Sequence, residues 1–138
     1  MGAVFVTLSI GLRPLGQKYE RASLVALALR GGATELSDLA YLHYRRNDVA
    51  GAATLYRAAS AADHRTVYAP ANLAIVLASL GRCEEAEEAA AEAEARSRRN
   101  GFHARDARLA ARARFAVARC RIFSRNGRGA EGEDGADE

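Results

Sequence analysis

The sequence predicts an all-helical fold made of repeated helical hairpins followed by one long helix. The chain of 138 residues contains 32 alanines and only two prolines, at positions 14 and 70. Alanine is the best helix former, and so few prolines leave long stretches in which helices can form. Small and apolar residues also recur at a spacing of 34 residues, which is typical of stacked helical hairpins. Hydrophobic residues make up 49% of the chain, which is enough for one modest core.

Two segments of the chain align without a gap at this spacing. The matched positions are Leu39 with Leu73, Ala40 with Ala74, Leu42 with Val76, Ala52 with Ala86 and Ala59 with Ala93. In each segment a turn residue, Asn47 or Gly81, divides two helical patterns. Both residue types tolerate the left-handed conformation that ends a helix. These patterns predict four helices, over residues 34–46, 49–63, 67–80 and 83–99.

The flanking segments are less regular than the two repeats. Residues 103–125 are predicted to form a fifth helix that caps the second repeat, because apolar residues there recur every three or four positions. A further helix is predicted over 17–30, and residues 1–16 receive no assigned structure. Residues 127–138 are rich in glycine and acid without apolar periodicity, which predicts a disordered tail. The folded domain is therefore expected to span residues 1–126.

Each 34-residue unit carries a characteristic set of side chains. The first unit, 33–66, has Leu36, Leu39-Ala40, His43, Ala52, Tyr56 and Ala59. The second unit, 67–100, has Pro70, Leu73-Ala74, Leu77, Ala86, Ala90 and Ala93. These sets resemble the tetratricopeptide repeat family. The resemblance implies antiparallel hairpins that form a short right-handed α-solenoid with a C-terminal capping helix. An ordinary alanine-rich helical bundle is the alternative.

The resemblance also implies a function. Family members are protein–protein interaction modules, such as adaptors, scaffolds or co-chaperones, that bind a partner peptide or helix in a concave groove lined by the first helix of each hairpin. Carried over position by position, the groove residues here are Ser37, Asp38, Tyr41, Tyr44, Arg45, Tyr68, Asn72 and Ile75. Asn72 stands where many members hold a peptide backbone, and its amide can both donate and accept. The alternative for the three tyrosines is packing on neighbouring helices.

Charge is distributed unevenly along the chain. Six glutamates lie between residues 84 and 94, and nine arginines lie between 98 and 125. The two blocks are interpreted as solvated faces, or as faces that neutralise one another within the fold. A basic patch made of Arg105, Arg108, Arg112 and Arg119 is an alternative site for nucleic acid or an acidic partner. Nucleic acid is the less favoured partner because no base-reading motif accompanies these arginines. A third alternative is a homo-oligomer whose repeats stack end to end.

The chain offers little that points to catalysis. Its three histidines are scattered, no zinc-binding spacing occurs and no phosphate-binding glycine loop is present. We therefore expect no enzyme activity, no cofactor and no metal. Cys83 and Cys120 are expected to be reduced thiols of a cytosolic protein. No targeting segment and no apolar run long enough for a membrane are found, so the expected location is the cytoplasm.

Overall fold

A computed structural model describes residues 32–133 of the chain, with side chains described as far as residue 127. This part folds into five helices: α1 (Ala33–Arg45), α2 (Val49–Ala62), α3 (Tyr68–Ser79), α4 (Cys83–Arg99) and α5 (Ala104–Glu133). The predicted all-helical class is confirmed for these residues. The first four helices begin and end within one residue of their predicted bounds. The helix predicted over 17–30 and residues 1–16 lie outside the described residues.

The turns inside the two hairpins share one backbone geometry. The predicted turn residues have positive φ angles, 65° at Asn47 and 76° at Gly81. The N–H of Asp48 donates to the carbonyl of His43 at 2.9 Å, and the N–H of Arg82 donates to the carbonyl of Leu77 at 3.0 Å. The second bond lies 34 residues after the first. Asparagine and glycine are the residues that reach this conformation at least cost, which explains why the chain turns at these positions.

Buried positions in the two hairpins recur at the same spacing. Each of the following pairs is buried in both members: Leu36 and Pro70, Ser37 and Ala71, Ala40 and Ala74, Ala52 and Ala86, Tyr56 and Ala90, Ala59 and Ala93. Most of these side chains are small, so the helices approach closely and few large side chains are needed to fill the core. Tyr56 is the largest of them, and its ring and that of Tyr68 pack edge to face with 6.3 Å between the ring centroids.

Helix α5 covers the second hairpin by packing on both α3 and α4. The residues that face these helices step by four and three along α5, and all are buried or half-buried: Asp106, Ala110, Ala113, Val117, Cys120 and Ser124. Leu109 and Ala110 repeat the Leu-Ala pair of α1 and α3 for a third time, 36 residues after the second occurrence. The two extra residues hide this third occurrence from an ungapped alignment.

Helix α5 also extends beyond its predicted end at residue 125. It continues to Glu133, so residues 127–133 are helical and the prediction of a disordered tail is wrong for them. A helix that has already formed gains one backbone hydrogen bond with each added residue, and glycine costs only about 1 kcal/mol relative to alanine. Residues 134–138 lie outside the described part.

Cys83 and Cys120 form a disulfide with a Cα–Cα distance of 5.7 Å, so the expectation of reduced thiols is wrong. The two cysteines are 37 residues apart in sequence. They become neighbours only because α5 packs on α4 and brings its middle beside the first residue of that helix. In the chain-entropy description, closing a loop of this length stabilises the folded state by about 4 kcal/mol.

A buried arginine joins the two hairpins. Arg96 of α4 is only 4% exposed. Its guanidinium donates to the carbonyls of Ser60 at 3.0 Å, Asp63 at 2.9 Å and Thr66 at 3.0 Å. Its Nε donates to Glu92 at 2.8 Å, which compensates the buried charge. The three carbonyls lie at the end of α2 and in the loop after it, where a helix leaves acceptors without partners. Arg96 therefore fixes the connection between the hairpins.

Candidate functional site

The predicted groove residues of α1 lie mostly at the surface. Tyr41 is 46% exposed and Tyr44 is 42% exposed, and Asp38 and Arg45 are exposed as well. The guanidinium carbon of Arg45 lies 5.9 Å from the centroid of the Tyr41 ring, a cation–π arrangement that holds the two side chains together. Ser37 is buried instead, so its side chain is not accessible to a partner.

The predicted groove residues of α3 are half-buried. Tyr68 packs on Tyr56, as the alternative for the tyrosines expected. The amide nitrogen of Asn72 donates to the carbonyl of Tyr68 in its own helix at 2.8 Å. This bond uses one of the two N–H donors of the Asn72 amide. Ile75 lines two crevices whose other walls include residues of α5.

A crevice of about 570 Å³ separates α3 from the second half of α5. Ile75, Ala78 and Ala116 supply its apolar lining, and Arg119 and Phe123 stand beside them. Ile75 belongs to the predicted groove and Arg119 to the predicted basic patch, so residues of two separate predictions meet on one surface. The sequence did not single out α5 as a wall of the groove. The Leu109-Ala110 pair is the signal that could have identified it.

The crevice combines an apolar interior with one cation. The guanidinium carbon of Arg119 lies 5.9 Å from the ring centroids of both Phe115 and Phe123. The two rings therefore hold the arginine in a restricted position at the edge of the crevice. A surface of this composition can receive an apolar side chain and donate hydrogen bonds to a carbonyl or carboxylate next to it.

Two arginines of α5 are already engaged within the fold. Arg114 bonds to Glu87 and Glu94 of α4, and Arg121 lies 3.3 Å from Glu87. The hydrogen bond from Arg114 lowers the pKa of the Glu87 carboxyl, and the bonds to Glu94 and Glu87 raise the pKa of Arg114. The predicted mutual neutralisation of the acidic and basic blocks is therefore confirmed for this group of residues.

The predicted basic patch behaves differently from these two arginines. Arg105, Arg108, Arg112 and Arg119 are exposed, and none of them has a salt bridge within residues 32–127. They share the outer side of α5 with Phe115, which is 65% exposed. Their charges are thus available to a molecule outside the described chain.

Within residues 32–133, no group of three or more histidine, cysteine, aspartate and glutamate side chains could hold a metal ion. No helix in the same range is long and apolar enough to cross a membrane. Comparisons with protein-family models, with curated proteins and with solved structures find no match to this chain.

Proposed function

We propose that this chain is a tetratricopeptide-like interaction module that binds a peptide or helix of a partner protein. The proposal is supported by two hairpins whose turns and buried positions recur at 34 residues. It implies a right-handed solenoid in which α1, α3 and α5 line the concave side. Helix α5 then supplies the first helix of a third unit, since it carries the third Leu-Ala pair.

The crevice between α3 and α5 is the observation that carries this proposal. A large apolar side chain of the partner fits against Ile75, Ala116 and Phe123. Arg119 stands beside that position and can donate to the backbone or to a carboxylate of the same segment. From there the bound segment extends across Asn72 toward the exposed tyrosines of α1. Binding, rather than catalysis, is the activity that this surface supports.

Titration of a peptide against matched variants tests the crevice. A peptide is first selected from a displayed random library on the wild-type chain. Substitution Phe123→Ser removes an apolar contact and should weaken its binding at least about tenfold, since a buried apolar side chain contributes roughly 1.5–3 kcal/mol. Phe102→Ser is the control, because Phe102 is equally exposed, at 65%, and lies outside the crevice. Equal affinity of both variants for the peptide would reject the crevice as the binding site.

The extent of the groove is tested with the same peptide. Tyr41→Ala combined with Asn72→Ala should weaken binding if the bound segment crosses from α5 to α1. Unchanged affinity would restrict the site to the crevice itself.

A second candidate function is binding of nucleic acid or another polyanion through the basic patch. The observation that favours it is the lack of salt bridges at Arg105, Arg108, Arg112 and Arg119 in the described chain. Phosphate contacts release counterions, so the affinity for an oligonucleotide should fall steeply between 50 and 200 mM salt, by roughly 10²-fold for four contacts. Weak binding that hardly responds to salt would reject this function.

The disulfide weakens the case for the cytoplasmic location that the sequence predicts, because that case relied partly on reduced thiols. Disulfides form and persist mainly in oxidising compartments and are rare in the cytosol. The disulfide between Cys83 and Cys120 therefore favours an oxidising environment. Trapping the thiols in intact cells with an alkylating reagent, followed by mass spectrometry, would show which state the protein adopts where it works.

A further inference from the structure

The outer face of α5 combines exposed apolar side chains with exposed arginines. Its residues step by three and four along the helix, and every one is exposed: Arg105, Arg108, Arg112, Phe115, Arg119 and Ile122. The exposed fraction is 65% for Phe115 and 57% for Ile122. The buried side chains of α5, among them Ala113 and Val117, lie on its opposite side, where α3 and α4 pack. Large apolar side chains that stand exposed among cations mark a surface for another molecule.

We propose that this outer face binds the surface of an anionic lipid bilayer, with α5 lying in the plane of the membrane. An interfacial helix places apolar side chains at the boundary of the acyl chains and basic side chains among the headgroups. Phe115 and Ile122 supply the apolar part here, and the arginines around them supply the basic part. The inference goes beyond both proposed functions, because its partner is neither a peptide nor a nucleic acid.

The charge of α5 complements an anionic surface. Residues 104–127 contain seven arginines and a single acidic residue, Asp106, which is half-buried on the inner side. The arginines of the outer face form no salt bridge within residues 32–127. Each cation near an anionic bilayer strengthens binding about fivefold. The next acid after this range is Glu131, about 13 Å beyond Ile122 along the helix, which exceeds the Debye length of about 8 Å at physiological salt.

The shape of the outer face favours a flat partner. Two crevices near it lie along the border with α3 and include Ile75. Ile122 lines neither of them and stands on the convex side of α5. A bound helix or peptide needs a groove. A bilayer needs none and can contact the convex helix over the whole face, which extends about 26 Å from Arg105 to Ile122.

Nucleic acid fits the same face less well. Phosphate groups would engage the arginines, but they would leave Phe115 and Ile122 beside a charged backbone without an apolar environment. At a bilayer the two kinds of side chain are used together. Arg119 illustrates this, because its guanidinium carbon lies 5.9 Å from the ring centroids of Phe115 and Phe123. Its charged end can bind a lipid phosphate while the rings lie deeper, beside the acyl chains.

A tryptophan reporter tests the contact directly, because the chain contains no tryptophan of its own. Full-length Phe115→Trp is titrated with vesicles of phosphatidylcholine alone and with vesicles that also contain phosphatidylglycerol. The anionic vesicles should shift its emission to shorter wavelengths, and brominated acyl chains should quench it. Phe102→Trp is the matched control, because Phe102 is equally exposed but lies in the loop before α5, and it should show neither effect. No shift with anionic vesicles, or equal shifts at both positions, would overturn the proposal.

Co-sedimentation with the same anionic vesicles measures the part played by charge. Arg108→Gln combined with Arg112→Gln should weaken binding about 25-fold, at about fivefold for each cation. Arg45→Gln combined with Arg46→Gln removes the same charge near the end of α1, which makes no contact with α5, and should weaken binding less than about threefold. Circular dichroism checks that both variants are folded. Equal losses from the two pairs would reject the outer face as the binding surface.

Two further measurements separate a bilayer from a soluble polyanion. Phe115→Ser combined with Ile122→Ser should weaken vesicle binding at least about tenfold, since the apolar area that enters the bilayer is lost. Unchanged binding would leave only electrostatic adsorption and would reject the proposal. The Phe115→Trp chain is also titrated with an oligonucleotide and with polyglutamate. A shift with either of these, together with no shift on anionic vesicles, would assign the face to a soluble polyanion instead.

Discussion

The inner and outer faces of α5 use the same residue type for different purposes. On the side that meets α4, Arg114 and Arg121 are bonded to Glu87 and Glu94. On the outer side, Arg105, Arg108 and Arg112 have no such partner in the described chain. Arginine content alone therefore does not tell whether a helix is held by its charges or presents them to another molecule. The position of each arginine around the helix decides between these roles.

The inner face also differs in how it holds the helix. Its buried side chains are two alanines, Val117 and Cys120, and Val117 is the largest, so the apolar area that α5 buries is modest. Ion pairs and the disulfide supplement that burial. The outer face contributes nothing comparable to the fold, which leaves its side chains able to change without loss of stability. The following predictions test this difference, from the largest expected effect to the smallest.

Removing the disulfide should have the largest effect. Cys83→Ser combined with Cys120→Ser should lower the free energy of unfolding by up to about 4 kcal/mol, because the unfolded chain regains the entropy that the closed loop withholds. Urea unfolding monitored by circular dichroism measures the change. Reduction of the wild-type chain with dithiothreitol should produce a similar loss. No loss in either experiment would show that the inner face is stable without the covalent bond.

Removing the inner arginine should have a smaller effect. Arg114→Met leaves two glutamates without their main partner and should cost about 1 kcal/mol, since these side chains are partly exposed and solvent screens their interaction. Arg112→Met, two residues earlier on the outer face, is the matched control and should change the free energy of unfolding by less than about 0.5 kcal/mol. If the two substitutions cost the same, the inner and outer arginines do not differ in their contribution to the fold.

Lowering the pH should weaken the ion pairs between Arg114 and the glutamates of α4. The ordinary pKa of Glu87 is 4.5, and hydrogen bonding by Arg114 lowers it in the folded state. A carboxyl with a lowered pKa stabilises the fold fully above its ordinary value, and that stability is lost as the pH falls through the folded value. The free energy of unfolding should therefore decrease below about pH 4.5, and the decrease should be smaller in Arg114→Met. Unfolding curves from pH 7 to pH 3 for both chains measure it. Parallel pH profiles would assign the acid sensitivity to other carboxyls.

The smallest effect on folding is expected at Arg119. Arg119→Met keeps an apolar stem beside Phe115 and Phe123, so the free energy of unfolding should change by less than about 0.5 kcal/mol. Thermal unfolding checks this expectation. A larger loss would mean that the cation–π contacts of Arg119 hold α5 itself.

The sequence predicted α1 to α4 well because their signals are local. Turn residues such as Asn47 and Gly81 mark the helix ends by their own conformational preference, and apolar periodicity marks each helix between them. The repeat spacing predicted which alanines would be buried in both hairpins. Only the C-terminal end of α5 was placed too early, since glycines and acids there interrupt the apolar pattern without ending the helix.

Long-range contacts could not be predicted in the same way. Arg96 lies in a run of serine and arginines that looks like an exposed helix end, and nothing local marks it as the buried residue that binds three carbonyls. The disulfide depends on how α5 crosses α4, which spacing alone does not determine. The crevice depends on the same crossing. For the candidate site, the sequence therefore identified Ile75 and Arg119 as site residues, but it did not predict that they line one crevice.

The disulfide has a mechanical consequence. It closes the chain into a ring from the first residue of α4 to the middle of α5, with a sequence separation of 37 residues. A partner that pulls on the end of α5 can unravel the helix only as far as Cys120. The load then passes through the sulfur atoms to Cys83 and bypasses α4. While the bond is intact, about 130 Å of contour length is withheld from extension. Stretching single molecules with and without reductant would show that length appear as a separate step.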